Sequence, residues 1–148
     1  MPLKLYELVG TDDARPFSPF CWRTRMALAH KGLSAESIPW CFTDKAAIAP
    51  HQSDKVPVLL DGDAAIVDSW VIANYLEDTY PDRPSLFGGE GGRAMGRMLN
   101  WWGDGALLGK APRDRFRRQP LMRKRHPRPP AERAERTLLV SADQFEQF

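Results

Sequence analysis

Four residues near the start of the chain, Ser18-Pro19-Phe20-Cys21, combine a hydroxyl, a helix-starting proline and a thiol. Serine is a favoured N-cap and proline a favoured first helical residue, so the pattern predicts a helix that begins directly after Ser18. The Ser18 hydroxyl would lie beside unpaired backbone N–H groups and the positive end of the helix dipole, which stabilises an anion such as a thiolate. A Cys-x-x-Cys motif would indicate thiol redox chemistry, but here the first position is serine. The pattern favours a site that holds the thiolate of another molecule; the alternative is a plain helix cap.

The elements that would position this turn follow from hydrophobic periodicity and turn residues. Alternation predicts a strand over Lys4 to Val9, and helical spacing after Ser18 continues to a terminating Gly32. An Asp-Gly step between two apolar runs predicts a β-hairpin. The remaining elements are a short strand around residues 37–39, a short helix over 45–49, hairpin strands over 55–60 and 64–67, and a helix capped by Asp68-Ser69. Strand, helix, strand, hairpin and helix predict a small mixed sheet covered by helices.

Composition predicts a globular protein without a membrane span. The 148 residues are 43% hydrophobic and 27% charged, with a net charge of +2. The first residues, Met1 to Val9, lack the basic and long apolar regions of a signal peptide. Two cysteines, Cys21 and Cys41, are too few for a zinc site and are better interpreted as cytosolic thiols than as a disulfide framework. The prediction is a cytoplasmic protein without a metal.

Residues 3–87 resemble the N-terminal thioredoxin-like domain of the glutathione transferase superfamily. Three separated motifs carry the resemblance: the segment from Ser18 to Leu28 resembles the catalytic loop and first helix of serine-type classes, Lys55 to Leu59 resembles the cis-proline segment, and Asp68-Ser69 opens a helix similar to the one that receives the γ-glutamyl end of glutathione. Trp22-Arg23-Thr24 and the segment from Asp68 to Ala73 further resemble bacterial beta-etherase-type members, which cleave aryl ethers with glutathione. The resemblance implies a βαβ-α-ββα domain.

The resemblance also implies a role for each motif residue in binding glutathione. Ser18 would donate a hydrogen bond to the thiolate of the ligand and lower its pKa. A cis Val56-Pro57 bond would leave the backbone N–H and C=O of Val56 free to pair with the cysteinyl backbone, whereas the alternative is an ordinary trans proline at an edge strand. Ser69 would bind the γ-glutamyl carboxylate at the helix N-terminus.

The same resemblance gives roles to three more residues, each with a structural alternative. Asp68 would bind the ligand's amino group by a charge-assisted hydrogen bond, although it and Ser69 could be plain N-cap residues. Lys55 is a candidate for the glycyl end, or an exposed lysine that is only solvated. Cys21 could form a mixed disulfide with glutathione, or pack as a small hydrophobic side chain.

Beyond residue 87 the sequence departs from complete members of the superfamily, which have a large helical second domain. We predict a Gly-rich linker over 88–92, a partial helical domain over 93–110 and a basic, irregular Arg/Pro-rich tail over 111–148. Residues 111–136 hold 10 basic and three acidic residues, whereas residues 1–110 hold 11 basic and 14 acidic ones. Five prolines interrupt any helix in this tail. The abrupt loss of periodicity after Lys110 suggests a truncated or frame-shifted reading.

Two functions from different classes follow. The first is a glutathione transferase that activates glutathione as co-substrate for attack on a small hydrophobic electrophile or an aryl ether. The second is a non-catalytic module with the same fold, which serves as a binding or dimerisation platform and carries the basic tail. The tail lacks the interleaved aromatic residues that base stacking needs, so nucleic acid is not the favoured partner. A homodimer is expected from the resemblance.

Overall fold

The computed structural model describes residues 2–108 and 138–140, and the side chains of residues 2–106. The strands are β1 (Leu3–Leu8), β2 (Ala35–Trp40), β3 (Val58–Asp61), β4 (Ala64–Val67) and β5 (Leu138–Val140). The α-helices are α1 (Pro19–His30), α2 (Ser69–Thr79) and α3 (Glu90–Trp102), and one turn of π-helix follows over Gly103–Leu108. This order confirms the predicted thioredoxin-like arrangement.

One mixed sheet with the order β4-β3-β1-β2-β5 organises the domain. Strands β1 and β2 are parallel, with Leu3 opposite Ala35 and Leu8 opposite Trp40, whereas β3 is antiparallel to β1 and forms the predicted hairpin with β4. Gly62 has a φ of +58° in the hairpin turn, a conformation that glycine adopts without steric cost. Because β1 and β2 are parallel, their carboxyl ends meet at the same edge of the sheet, and the loops leaving that edge carry the candidate site.

Two clusters of buried side chains form the core. One lies between the sheet and helices α1 and α2. It includes five side chains with 0% exposure: Leu5, Leu28, Leu59, Ile72 and Leu76. The other groups Leu8, Cys21, Trp40, Ile48 and Val58 near the carboxyl ends of β1 and β2. Burial of such apolar side chains is the main favourable term in folding. The second cluster therefore packs against the loops around Ser18, since Phe17 and Val56 contact it.

Helix α3 packs on the first two helices through polar contacts and one aromatic pair. Arg23 on α1 donates to Asn100 Oδ1 at 2.9 Å and pairs with Asp104 at 2.7 Å. The Phe87 ring contacts Trp70, with 5.4 Å between the ring centroids. These contacts join the helical segment to the sheet domain.

Three predicted boundaries differ from the structure. The linker predicted over 88–92 is shorter, because α3 begins at Glu90, whose carboxylate is favourable in the first helical turn. The helix predicted over 45–49 is two short 3-10 segments, Lys45–Ala47 and Ala49–His51, separated by the buried Ile48. The tail predicted to be irregular contributes β5, which pairs antiparallel with β2. The rest of the predicted tail, including its basic stretch over 111–136, lies outside the described residues.

Candidate functional site

A cavity of about 270 Å³ opens where the carboxyl ends of β1 and β2 meet the N-terminus of α1. Three of the residues predicted from the sequence, Ser18, Lys55 and Val56, line it together. The other lining residues are Leu8, Phe17, Pro19, Phe20, Trp40, Phe42 and Asp54. The fold therefore brings the Ser18 turn and the segment before Pro57 to one site, although 37 positions separate Ser18 from Lys55 in the sequence.

Ser18 caps α1 as predicted. Its backbone is extended, with φ −70° and ψ 125°, Pro19 occupies the first helical position, and the Ser18 Oγ accepts a long hydrogen bond of 3.5 Å from the Cys21 N–H. The residue is only 5% exposed, yet it belongs to the cavity lining. This contact uses an acceptor lone pair, and the O–H group, which also interacts with the Cys21 thiol, can rotate to donate a hydrogen bond to a ligand. A hydroxyl donor thus stands at the positive end of a helix dipole.

The Val56-Pro57 peptide bond is cis, as the sequence predicted. Pro57 is buried, whereas Val56 is partly exposed. Within residues 2–108 no hydrogen bond occupies the backbone N–H or C=O of Val56, since β3 begins at Val58. The preceding Lys55 is exposed, and its backbone N–H and C=O are both bonded to the Ser53 hydroxyl, at 3.2 and 2.7 Å. The backbone of Val56 is therefore available to an extended ligand.

Asp68 and Ser69 lie at the N-terminus of α2 and are not part of the cavity lining within the described residues. Asp68 has a φ of +79°, a left-handed conformation that is unusual for a non-glycine residue and recurs at functional sites. Its Oδ1 accepts from the Trp70 and Val71 N–H groups at 2.8 and 3.2 Å. Asp68 is thus the N-cap, and its side chain is exposed, whereas Ser69 is the first helical residue and is 5% exposed.

Cys21 is buried, with 0% exposure, in the first turn of α1. Burial raises the pKa of its thiol to about 11, although hydrogen bonds from the Leu8 backbone and the Ser18 side chain act in the opposite direction. A thiol with this pKa is almost entirely protonated at neutral pH and is a poor nucleophile. The position therefore supports the packing alternative for Cys21 rather than the redox one.

The aromatic part of the cavity was not predicted from the sequence. Phe17 and Phe20 flank Ser18, so their place in the primary structure could have indicated them. Trp40 and Phe42 come from the end of β2, and they reach the cavity only because β2 runs parallel to β1. The rings of Trp40 and Phe42 meet edge to face, with 5.8 Å between centroids. The signal that could have found them is the rule that ligands bind at the carboxyl ends of parallel strands.

Two features are absent from the described residues. No group of three or more His, Cys, Asp or Glu side chains is arranged to hold a metal ion among them. Nor does this part of the chain contain a helix that is both long and apolar enough to cross a membrane.

Comparisons of the sequence point to one family. Residues 14–84 match the family model for the glutathione S-transferase N-terminal domain. Glutathione S-transferase Z1 of Arabidopsis thaliana is 42% identical over 71 residues, which cover 43% of this chain and 31% of that protein. A zeta-class glutathione S-transferase of Euphorbia esula is 37% identical over 70 residues, covering 44% of this chain and 31% of its own length. The chain thus spans about a third of the length of the curated relatives it matches.

Comparisons of the structure agree. Glutathione transferase GSTFuA3 from Phanerochaete chrysosporium aligns with a TM-score of 0.65 and 28% identity, over 74% of this chain and 50% of that one. A glutathione S-transferase of Ceriporiopsis subvermispora, solved in complex with glutathione, aligns with a TM-score of 0.64 and 26% identity, over 76% of this chain and 50% of that one. Residues 14–84 therefore resemble a glutathione S-transferase N-terminal domain in sequence, and they share its thioredoxin-like fold.

Proposed function

We propose that the domain binds glutathione and stabilises its thiolate for attack on a small hydrophobic electrophile or an aryl ether. The observation that carries the proposal is that the Ser18 hydroxyl, at the N-terminus of α1, lines the same cavity as Val56, whose backbone is free to pair with a peptide. Several structural relatives were solved with glutathione bound. A peptide backbone held by Val56 would place its cysteinyl sulfur in the cavity that Ser18 lines.

The chemistry requires that a larger fraction of bound glutathione is ionised to the thiolate and that the electrophile is bound next to the sulfur. The Ser18 O–H donates a hydrogen bond to the sulfur, and the helix dipole adds a fixed positive potential, so both lower the pKa of the bound thiol. The thiol proton leaves to solvent. The thiolate then forms a bond to the electrophilic carbon, while the bond from that carbon to the leaving group breaks and the leaving group departs with the electron pair.

The remaining residues would bind the charged ends of glutathione. Ser69 presents a hydroxyl and a backbone N–H at the start of α2, which suits the γ-glutamyl carboxylate. Asp68 uses Oδ1 for the cap, and its Oδ2 is left for the ligand's amino group. Lys55 lines the cavity and is the candidate cation for the glycyl carboxylate.

The sequence also bears on the reaction subtype and on the compartment. The Trp22-Arg23-Thr24 step favours the beta-etherase-like subtype, in which the leaving group is an aryloxide. The cysteine content favours a cytoplasmic protein.

Thermal melting with increasing reduced glutathione tests the proposal. A ligand that binds only the folded state raises stability by RT ln(1 + [L]/Kd), so we expect a saturable upward shift of Tm. Ser69→Ala should abolish the shift. Ser18→Ala should keep binding but weaken the thiolate absorbance of bound glutathione near 240 nm, whereas Ser34→Ala, at an exposed serine between α1 and β2, should behave as the unmodified chain. A cooperative melt with no shift at any glutathione concentration contradicts the proposal.

The exposed stripe on α3 favours a second candidate, a dimerisation platform. Met95, Met98, Leu99 and Trp102 follow the spacing of one helix face, and each is more than half exposed. Contiguous exposed apolar surface marks interaction sites. Sedimentation at several protein concentrations should show self-association that Leu99→Glu weakens, and monomers at every concentration would contradict this candidate.

A further inference from the structure

We propose that the outer edge of β2 is a strand-docking surface for an extended apolar peptide. The chain fills this edge with its own segment Leu138–Val140, and a peptide of the same kind from another molecule takes its place when that segment is released. Recognition is assigned to the backbone of Ala35 and Ser37. The surface is separate from the glutathione site of the proposed function and does not depend on it.

Strand β2 would be an open edge of the sheet without β5. The sheet order is β4-β3-β1-β2-β5, so β1 occupies one side of β2 and β5 the other. Strand β5 lies outside residues 14–84, the part of the chain that matches the family model. An open edge presents unpaired N–H and C=O groups and is a template for another strand. A later segment of this chain thus covers an edge that strands β1 to β4 leave open.

The backbone groups that face this edge follow from the pairing of β2 with β1. The Trp40 C=O accepts from the Val9 N–H at 2.9 Å, so the backbone polar groups of Trp40 face β1. Successive residues of a strand direct these groups to opposite sides, so the residues two and four places before Trp40 also face β1. The outer edge is formed by the alternate residues: Ala35, Ser37 and Pro39.

Pro39 sets the limit of the docking surface. Proline has no N–H, and within sheets it occurs where the missing donor faces an edge. Strand β5 pairs with β2 over residues 35–37, and Pro39 lies beyond that pairing. The edge therefore offers two residues with both an N–H and a C=O group, Ala35 and Ser37, which fits the three residues of β5.

The register of β5 assigns the contacts. Val140 lies opposite Ala35, and Leu138 lies opposite Ser37. Because Ala35 and Ser37 face β5, these two pairs exchange backbone hydrogen bonds, whereas Leu139 belongs to a pair that exchanges none. All three residues of β5 are apolar. Backbone pairing with a sheet edge is a general way in which extended peptides bind, so the same edge suits a peptide of this composition from another molecule.

The contact is short enough to be exchanged, and the chain's own strand has the advantage. Three residue pairs join β5 to β2. In the sequence, residues 109–137 connect β5 to the preceding element, and a segment tethered in this way competes at an effective concentration of up to about 1 mM. A peptide at micromolar concentration therefore does not displace β5. The edge is closed to other molecules until β5 is released.

Hydrogen exchange of the β2 amides, followed by NMR on the full chain, tests the proposal. In the unmodified chain the Ala35 and Ser37 N–H groups should exchange slowly. Leu138→Pro removes the donor that faces Ser37, so both amides should exchange at least about tenfold faster. Leu139→Pro is the matched control, because it also replaces a leucine by proline but the lost N–H faces away from β2. Exchange in this control should stay slow.

A synthetic peptide with the sequence of residues 136–142 tests docking from another molecule. At about millimolar concentration it should restore slow exchange at Ala35 and Ser37 in the Leu138→Pro chain. The same peptide N-methylated on Leu138 should give no protection, whereas N-methylation on Leu139 should leave it active. The amide of Ile38, which faces β1, should stay slow throughout and shows that the variant is folded. If Leu138→Pro does not fold, Val140→Pro removes the donor that faces Ala35 and gives the same test.

Four outcomes would overturn the proposal or part of it. Equal exchange in Leu138→Pro and the unmodified chain would show that β5 does not close this edge. Equal acceleration in Leu138→Pro and Leu139→Pro would overturn the assigned register. Fast exchange at Ala35 and Ser37 in excess peptide would overturn docking from another molecule. Protection that rises with protein concentration in the absence of peptide would make the occupant another region of a second copy of the chain.

Discussion

Arg25 of α1 and Glu7 of β1 form a two-point ion pair, with 2.6 Å from Nε to Oε1 and 2.9 Å from Nη2 to Oε2. Glu7 is completely buried and Arg25 is 7% exposed. The Ser37 hydroxyl donates to the same carboxylate at 2.5 Å, and the guanidinium lies 5.3 Å from the centroid of the Trp22 ring. The cluster joins β1, α1 and β2, the three elements whose ends meet at the cavity.

Removing one partner of this pair should be costly. Arg25→Met would leave the Glu7 carboxylate buried with only the Ser37 hydroxyl as a partner, and breaking a buried pair in this way costs about 3–5 kcal/mol. Urea denaturation measures the loss as a lower midpoint. Arg15→Met is the matched control, because the pair of Arg15 with Asp12 is at the surface and contributes at most about 1 kcal/mol. Equal losses in the two variants would contradict the assigned role of the buried pair.

The second buried pair predicts a dependence of stability on pH. Lys31 has no exposed side-chain surface and its Nζ lies 2.8 Å from Glu77 Oε2. Burial alone would raise the pKa of Glu77, but hydrogen bonds from Lys31, Ser85 and the Leu86 N–H hold it at about 2. The folded pKa lies below the unfolded one of 4.5, so the contribution to stability is present above about pH 4.5 and is lost as the pH falls towards 2.

Urea midpoints measured from pH 7 to pH 2 test this dependence. At pH 7 the free energy of unfolding of the unmodified chain should exceed that of Glu77→Gln by roughly 1–2 kcal/mol, after allowance for solvent screening. This difference should shrink below pH 4.5. Asp63→Asn, at an exposed carboxylate in the hairpin turn, serves as the control. A difference that stays constant down to pH 2 would show that Glu77 does not retain a lowered pKa in the folded state.

Cys21 should be unreactive in the folded chain. The Cys41→Ser variant carries Cys21 as its single thiol. Since burial raises the pKa of Cys21 to about 11, the thiolate fraction at pH 8 is about one in a thousand, and the sulfur is also shielded from reagents. Labelling with a disulfide reagent should be at least about 100-fold slower in buffer than in urea. Rapid labelling of the folded variant would revive the redox role of Cys21.

Much of the fold could be predicted because its signals are local. Ser18-Pro19 is a helix start that depends only on adjacent residues, and the turn at Gly62 fixes the hairpin in the same way. The cap at Asp68 was predicted from a motif of this short range, whereas the cis bond at Pro57 was implied by the resemblance of Lys55 to Leu59 to the cis-proline segment of glutathione transferases. All of them lie where the sequence placed them, within one or two residues.

The rest depends on contacts between distant parts of the chain. The buried pair of Glu7 and Arg25 was not predicted. A charged residue is rarely buried without a partner, and the sequence does not show that β1 and α1 bring these two side chains together. Phe42 joins Ser18 only through the parallel pairing of β1 and β2. The start of α3 was placed too late because its first turn contains Gly91 and Gly92, which weaken a helix unless packing supports it.

Asp68 allows the structural and ligand roles of one residue to be separated. Asp68→Asn keeps an oxygen for the Trp70 and Val71 N–H groups and suits a positive φ, so stability should fall by at most about 0.5 kcal/mol. It removes the charge that would bind the amino group of glutathione, and calorimetry should show binding weakened by about tenfold. Asp68→Ala removes the capping carboxylate and places alanine, which rarely adopts a positive φ, at φ +79°. It should lower the free energy of unfolding by about 1–3 kcal/mol. If Asp68→Asn binds glutathione as tightly as the unmodified chain, the residue is a helix cap alone.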